Sequence, residues 1–414
     1  MSTHPILAAL RRHKAGVILI ALQIALTLAI VCNAIFIIGQ RIDRVNRPTG
    51  IDEANLFVVS QQWVGTPDGD GPDAVDKIDS LLRADLDTLR RLPGVESVAP
   101  VNSMPLNNSS MVNGITLTPD QKDSTLSATM FLGDDHLMST LGVQLVAGRA
   151  FTAGDVIHQA FRNDTLPPSV IVSQATADKL FPNQSAIGKT IYSDSKPTTI
   201  IGVVKLLQSS MVESFAKDSD YYTIIEPIRQ DGDNSRYVVK TRPGQQAQAM
   251  EAARAALFAA NPQRVIDAER GIRSFADIRH RAYRADRGMA ILMAVVCLIM
   301  LCVTAAGIVG LTSFWVGQRH RQIGVRRALG ARKIDILHYF QIENLMIAGG
   351  GVVVGVVLAV GLNLWLMSQY EMARLPLMYV LIGMVALLAL GQAAVFVPAR
   401  RASRVSPIEA TRVA

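Results

Sequence analysis

Only three cysteines occur in the 414 residues, at positions 32, 297 and 302, and none lies between residues 40 and 285. No disulfide framework can therefore hold that long polar stretch together. It must build its own hydrophobic core, and roughly 245 residues are ample for one. Formal charge is also missing, but locally. Ala15–Gly39, Gly288–Gln318, Asn344–Tyr370 and Leu375–Ala399 contain no Asp, Glu, Lys or Arg. Each block reaches the roughly 20 apolar residues that a helix needs to cross a bilayer. Half of the chain is hydrophobic, yet mean hydropathy is only +0.27. That combination calls for separate apolar and polar blocks rather than one uniform globule.

The first block is too long for a signal-peptide core of roughly 7–15 residues, and no A-x-A cleavage site follows it. Bulky Val31 precedes Cys32 where a lipoprotein site needs a small residue. A retained first helix is expected.

Catalytic patterns are absent too. The seven histidines (4, 13, 136, 158, 280, 320 and 338) are scattered, with no HExxH pair and no CxxC, so no metal site is expected. No G-x-S-x-G elbow appears. Asn183-Gln-Ser-Ala-Ile-Gly188-Lys189-Thr190 approaches a phosphate-binding loop, but Asn183 stands where its first glycine belongs. The segment after Thr190 is β-branched, and the whole stretch falls in the polar block; a loop entering a hairpin is the stronger reading. No span carries Asp or Glu at its centre, as ion-coupled carriers do. Glu343, at the end of the third span, is expected to reach water.

What is present is basic charge in three places. Arg11, Arg12 and Lys14 precede the first span; Arg319, Arg321, Arg326, Arg327, Arg332 and Lys333 follow the second; Arg400, Arg401, Arg404 and Arg412 follow the fourth. Together these segments exceed the chain's net +7, so the remainder is slightly acidic. Basic residues beside spans stay cytoplasmic, which puts both termini and the 317–341 loop inside. Topology accounts for the basic balance, and no nucleic-acid partner is needed.

The organisation expected is a cytoplasmic N-terminus (1–14), span one (15–39), an α+β domain outside (40–285), span two (286–316), a cytoplasmic loop (317–341), span three (342–367), an outer turn (368–376), span four (377–398) and a cytoplasmic tail (399–414). Within the domain, Leu56–Ser60 and Val95–Val98 read as strands around a helix marked by Val75, Ile78, Leu82, Leu86 and Leu89 at helical spacing. Pro93-Gly94 ends that helix. Ser169–Val172 is a strand, and Ser173 can cap a helix reaching Phe181. Thr190–Tyr192 and Thr198–Val204 form a hairpin about Ser193–Pro197. Tyr221–Glu226 and Arg236–Lys240 read as strands, Gln245–Ala260 as a helix, and 264–287 as helical into span two. Two subdomains are expected, one from each half of the domain's sequence. Gly351 and Gly355, and the stripe Ala21, Ala25 and Ala29, allow close helix contact.

One ordered string exceeds what positive-inside charge or an interfacial helix requires. Gln322-Ile323-Gly324-Val325-Arg326-Arg327-Ala328-Leu329-Gly330-Ala331 closely resembles the ATPase-coupling segment of MacB/FtsX-type (type VII) ABC transporter permeases. Ile171–Pro182, Ile187–Ile191 and Ile200–Val204 are similar to that family's periplasmic signature, and Pro398–Ala410 to its C-terminal end. The one-plus-three helix layout is similar as well. Gln322 departs from the family's usual Glu, and about 14 residues precede the first span where MacB itself carries an ATPase.

The resemblance implies a bacterial inner-membrane permease subunit whose four transmembrane α-helices (1+3) flank a large periplasmic α+β domain. The ten residues Gln322–Ala331 would dock a separate ABC ATPase, which would hold the ATP and Mg; no cofactor is expected in this chain. A second permease copy, membrane lipid, and a periplasmic adaptor with an outer-membrane channel are the further partners implied. The work expected is export by mechanotransmission. An FtsX-like regulator of periplasmic enzymes is the alternative within the family. A membrane sensor is the alternative outside it, against which the two extra C-terminal spans argue.

Overall fold

The structure is a computed structural model that describes residues 14–65, 72–109, 111–160, 166–193, 195–212, 219–370 and 374–404. Asp194, within the expected hairpin turn, and the end of the Pro398–Ala410 motif lie outside the described residues. The chain divides into two units, residues 1–46 with 285–414, and residues 47–284.

The first unit contains α1 (Lys14–Val45), α7 (Arg284–Gln318), α8 (His320–Ala328), α9 (Lys333–Tyr370) and α10 (Leu377–Ser403). Among the described residues, four helices are long and apolar enough to cross a membrane: α1, α7, α9 and α10. At 38 residues, α9 extends about 57 Å at 1.5 Å per residue, well beyond a hydrocarbon core of roughly 30 Å. Its first turns therefore belong to the 317–341 segment, which is mostly helix rather than open loop.

Between spans the packing is carried by small residues and satisfied polar groups. A Cβ on Gly351 would sit 2.7 Å from the Ala21 carbonyl oxygen, and one on Gly355 would sit 3.0 Å from the Ala25 backbone. Backbone thus meets backbone where α9 crosses α1, and a side chain at either glycine would separate them. Asn33 Nδ2 donates to the Ala29 and Ala359 carbonyls at 2.9 and 3.1 Å. Toward α7, Gln23 donates to the Val303 carbonyl at 3.0 Å, and the Thr27 and Thr304 hydroxyls bond at 2.8 Å. At the other end of α1, Arg41 pairs with Asp286 at 2.5 Å. Polar atoms in a bilayer need such internal partners.

The second unit is the α+β domain. Its elements are β1 (Leu56–Trp63), α2 (Pro72–Arg90), β2 (Val95–Pro100), β3 (Met111–Thr116), β4 (Leu126–Leu132), α3 (Leu137–Leu141), β5 (Leu145–Gly148), β6 (Ile157–Ala160), β7 (Ser169–Ser173), α4 (Gln174–Leu180), β8 (Thr190–Ser193) and β9 (Lys196–Val204). There follow β10 (Thr223–Glu226), β11 (Ile228–Asp231), β12 (Asn234–Thr241), α5 (Gln246–Ala260), β13 (Arg264–Val265), β14 (Ile272–Ser274) and α6 (Phe275–Ala282).

These elements form two subdomains, but the subdomains are not successive halves. One sheet runs β13-β1-β12-β2, with β14 also on β1. Its register pairs Leu56 with Lys240 and Gln62 with Asn234, so strands from both ends of the domain meet. Residues of α2 and α5 cover it: Leu82, Leu86, Leu89, Ala249, Ala253 and Leu257 pack with Phe57, Val59, Tyr237 and Val239. The second subdomain is inserted between. Its sheet runs β5-β9-β7-β10-β4-β3-β8, and β8 also pairs with β9, closing a ring around Ile115, Met130, Val170, Val172, Ile191, Ile200 and Ile224. Ser173 caps α4 as expected, accepting from Thr176 N at 3.2 Å.

A second expectation changes over 264–274. This stretch is not helical: β13 and β14 add to the edge of β1, and helix starts at Phe275, where Ser274 Oγ accepts from Asp277 N at 3.1 Å. The near-miss phosphate loop runs from Asn183 (φ 60°) to Gly188 (φ 78°) and enters strand β8, with no helix after it.

A buried polar cluster pins the first subdomain. Arg264 and Asp85, 0% and 1% exposed, pair at 2.8 Å. Gln61 and Tyr237 each donate to the same Asp85 carboxylate at 2.6 and 2.9 Å, and the Arg264 guanidinium lies 4.4 Å over the Trp63 ring. Where the chain enters and leaves the domain, Arg279 of α6 bonds Glu53 at 2.5 Å and the Arg47 carbonyl at 2.8 Å. Arg47 itself pairs with Asp220. Entry and exit are thereby clamped to each other.

Candidate ATPase-coupling segment

The segment begins where α7 ends, at Arg319, which precedes α8 as its N-cap residue. One guanidinium nitrogen of Arg319 donates to both oxygens of Glu343 on α9, at 3.0 and 2.9 Å. Glu343 was expected to reach water; instead its side chain is 3% exposed. A carboxylate that deep is stabilised only by a partner, and the preceding helix supplies it.

Helix α8 places the ten string residues unequally. Ile323 and Gly324 are buried, and Ile323 joins Ile336, Phe340, Ala399 and Ala402 in the bundle core. Gln322, Val325, Arg326, Ala328, Leu329 and Gly330 are exposed, while Arg327 and Ala331 are half-buried. Two arginines fasten the helix: Arg327 donates to the Ser403 carbonyl at 3.1 Å, and Arg326 lies 5.2 Å over the Tyr339 ring.

The end of α8 explains Gly330 by backbone geometry. Ala331 N bonds the Arg326 carbonyl and Gly330 N the Arg327 carbonyl, both at 3.1 Å. This is a Schellman cap, whose closing residue must be left-handed, and Gly330 has φ 99°. The cap lifts Leu329 clear of the helix, 83% exposed. Asp335 then accepts from Arg332 N at 2.9 Å and starts α9. An apolar side chain is thus presented beside basic ones on a base anchored in the bundle. Sequence reasoning missed the Arg319–Glu343 pair and the Arg327–Ser403 tie, because both depend on which helices become neighbours. Gly351 and Gly355 lie away from this segment, within the α1–α9 packing.

Comparison with known proteins gives the family of the chain. Residues 18–257 match the MacB-like periplasmic core domain and residues 294–407 the FtsX-like permease C-terminal region. The chain is 27% identical over 345 residues to the macrolide export ATP-binding/permease protein MacB of Neisseria gonorrhoeae, covering 81% of this chain and 49% of that protein. It is 26% identical over 361 residues to a probable export ATP-binding/permease protein of Pseudomonas fluorescens, covering 84% and 51%. The chain spans about half the length of these relatives. Among solved structures, the periplasmic region of MacB from Actinobacillus actinomycetemcomitans matches at 17% identity and TM-score 0.34, covering 58% of this chain and 97% of that one. The two family-model matches, with four membrane-length helices and an α+β domain between the first two, make the chain a member of the ABC transporter permeases that combine a MacB-like periplasmic core domain with an FtsX-like C-terminal region.

Proposed function

We infer that this permease converts ATP hydrolysis by an ABC ATPase docked on α8 into movement of its periplasmic domain, and that the movement drives export. The observation that carries this reading is Leu329, an exposed apolar side chain on a rigid cap between Arg326 and Arg332, whose supporting helix is rooted in the bundle. Exposed apolar residues ringed by charge mark protein contacts. A push on α8 would reach α9 through Arg319–Glu343 and α10 through Arg327–Ser403. Tight α1–α9 packing at Gly351 and Gly355 would carry it onward. Only α1 and α7 continue covalently into the α+β domain, so displacement would pass through them to the Arg47–Glu53–Arg279 clamp.

In this reading the chain sits in the bacterial inner membrane with both termini cytoplasmic, pairs with a second permease copy, and leaves ATP and Mg to the ATPase. The relatives' names favour export over regulation of periplasmic enzymes. A periplasmic adaptor and outer-membrane channel complete the scheme. The test is substitution at Arg326 and Arg327, or of Gly330 by Val, with the co-expressed ATPase. Co-purification and export should both fall; if both survive intact, the docking assignment is wrong.

A further inference from the structure

The C-terminal end of α10 carries an open surface depression of about 260 Å³ lined by Phe396, Val397, Arg400, Arg401 and Arg404. We propose that it binds the phosphate headgroup of an anionic phospholipid from the leaflet on the coupling-segment side. Helical spacing builds the site. Residues 396, 400 and 404 follow one another at four-residue steps, as do 397 and 401, so two apolar side chains lie one turn below the Arg400 and Arg401 guanidiniums, with Arg404 a further turn along at the helix cap. The opposite stripe, Val395, Ala399 and Ala402, is buried in the bundle.

Phe396 and Val397 are exposed on a helix long and apolar enough to cross the membrane, so they face acyl chains. The arginines begin where the hydrocarbon ends. Among the described residues, Arg400, Arg401 and Arg404 form no ion pair. A guanidinium satisfies phosphate oxygens through paired N–H donors, and basic residues beside a span attract anionic headgroups. A soluble phosphate would use the arginines but not the apolar floor. An ATPase surface would need the floor outside the bilayer.

The site touches the coupling machinery, because Arg327 of α8 donates to the Ser403 carbonyl between Arg401 and Arg404. A bound lipid would steady the helix end that receives that bond.

The experiment is native mass spectrometry of the purified full chain titrated with dioleoyl phosphatidylglycerol, with dioleoyl phosphatidylcholine as the neutral comparison and inorganic phosphate as competitor. Expected is saturable phosphatidylglycerol binding that phosphatidylcholine does not match and millimolar phosphate does not displace. The Arg400→Gln/Arg401→Gln/Arg404→Gln variant should weaken it by roughly 100-fold, at about fivefold per arginine. The charge-matched Arg321→Gln/Arg332→Gln/Lys333→Gln variant should bind as the parent does. Equal loss in both variants would reduce the effect to diffuse charge and overturn the site. So would displacement by phosphate, equal binding of phosphatidylcholine, or a 400/401/404 variant that keeps the lipid and loses only the ATPase.

Discussion

Arg319 and Glu343 join the end of α7 to α9 through one nitrogen that donates to both carboxylate oxygens, at 3.0 and 2.9 Å. Removing one partner from so buried a pair strands the other charge, at a cost of about 3–5 kcal/mol. Glu343→Gln and Arg319→Gln should each lower thermal stability in detergent by more than the double variant's excess over either. A double-mutant cycle checks this; additive effects would show that the pair does not couple the helices.

Gly351→Ala places a methyl group against the Ala21 carbonyl at 2.7 Å. The spans must separate or shift, at a cost of about 1–3 kcal/mol. Gly349→Ala, where a Cβ meets nothing within 4 Å, should be neutral. The difference between their melting temperatures is the measurement.

In the α+β domain, Asp85 accepts from Gln61, Tyr237 and Arg264. Asp85→Ala leaves a buried guanidinium without its counter-charge and should cost about 3–5 kcal/mol. Asp87→Ala, on the exposed side of the same helix, should cost less than about 0.5 kcal/mol. Urea unfolding of the two variants separates them.

Glu226 is buried, its Oε1 meets no hydrogen-bond partner among the described residues, and burial raises its pKa from 4.5 to about 7. Between those values the folded domain holds a proton that the unfolded chain has released. Stability therefore falls as pH rises from about 4.5 to about 7, and the full penalty, on the order of 3 kcal/mol, persists above. Glu226→Gln should flatten that dependence and be more stable than the parent at pH 8 relative to pH 5. Thermal unfolding across this range reads the slope.

Local patterns carried much of this fold. The four uncharged blocks became α1, α7, α9 and α10, and the apolar spacing through Ile78, Leu82, Leu86 and Leu89 became the buried face of α2. Chain-distant pairing stayed hidden. Leu56 meets Lys240, and nothing near either residue announces that the subdomains are nested. A separate pairing, with Phe57–Val59 of β1, turned 272–274 into an edge strand despite its helical composition. In the candidate coupling segment, the string stood out only by resemblance and its docking role is a proposed reading, whereas the reason for Gly330 did not show in the sequence at all. It is a backbone requirement of the Schellman cap, and it shows only once the carbonyl partners of residues 330 and 331 are known.

The central claim is that the α8 cap touches the ATPase. A photo-crosslinking amino acid placed at Leu329 in the full chain, co-expressed with its ATPase, tests it most directly. The account predicts a cross-link to the ATPase from position 329 and none from exposed Leu345 on α9. A cross-link from 345 with none from 329 would contradict it.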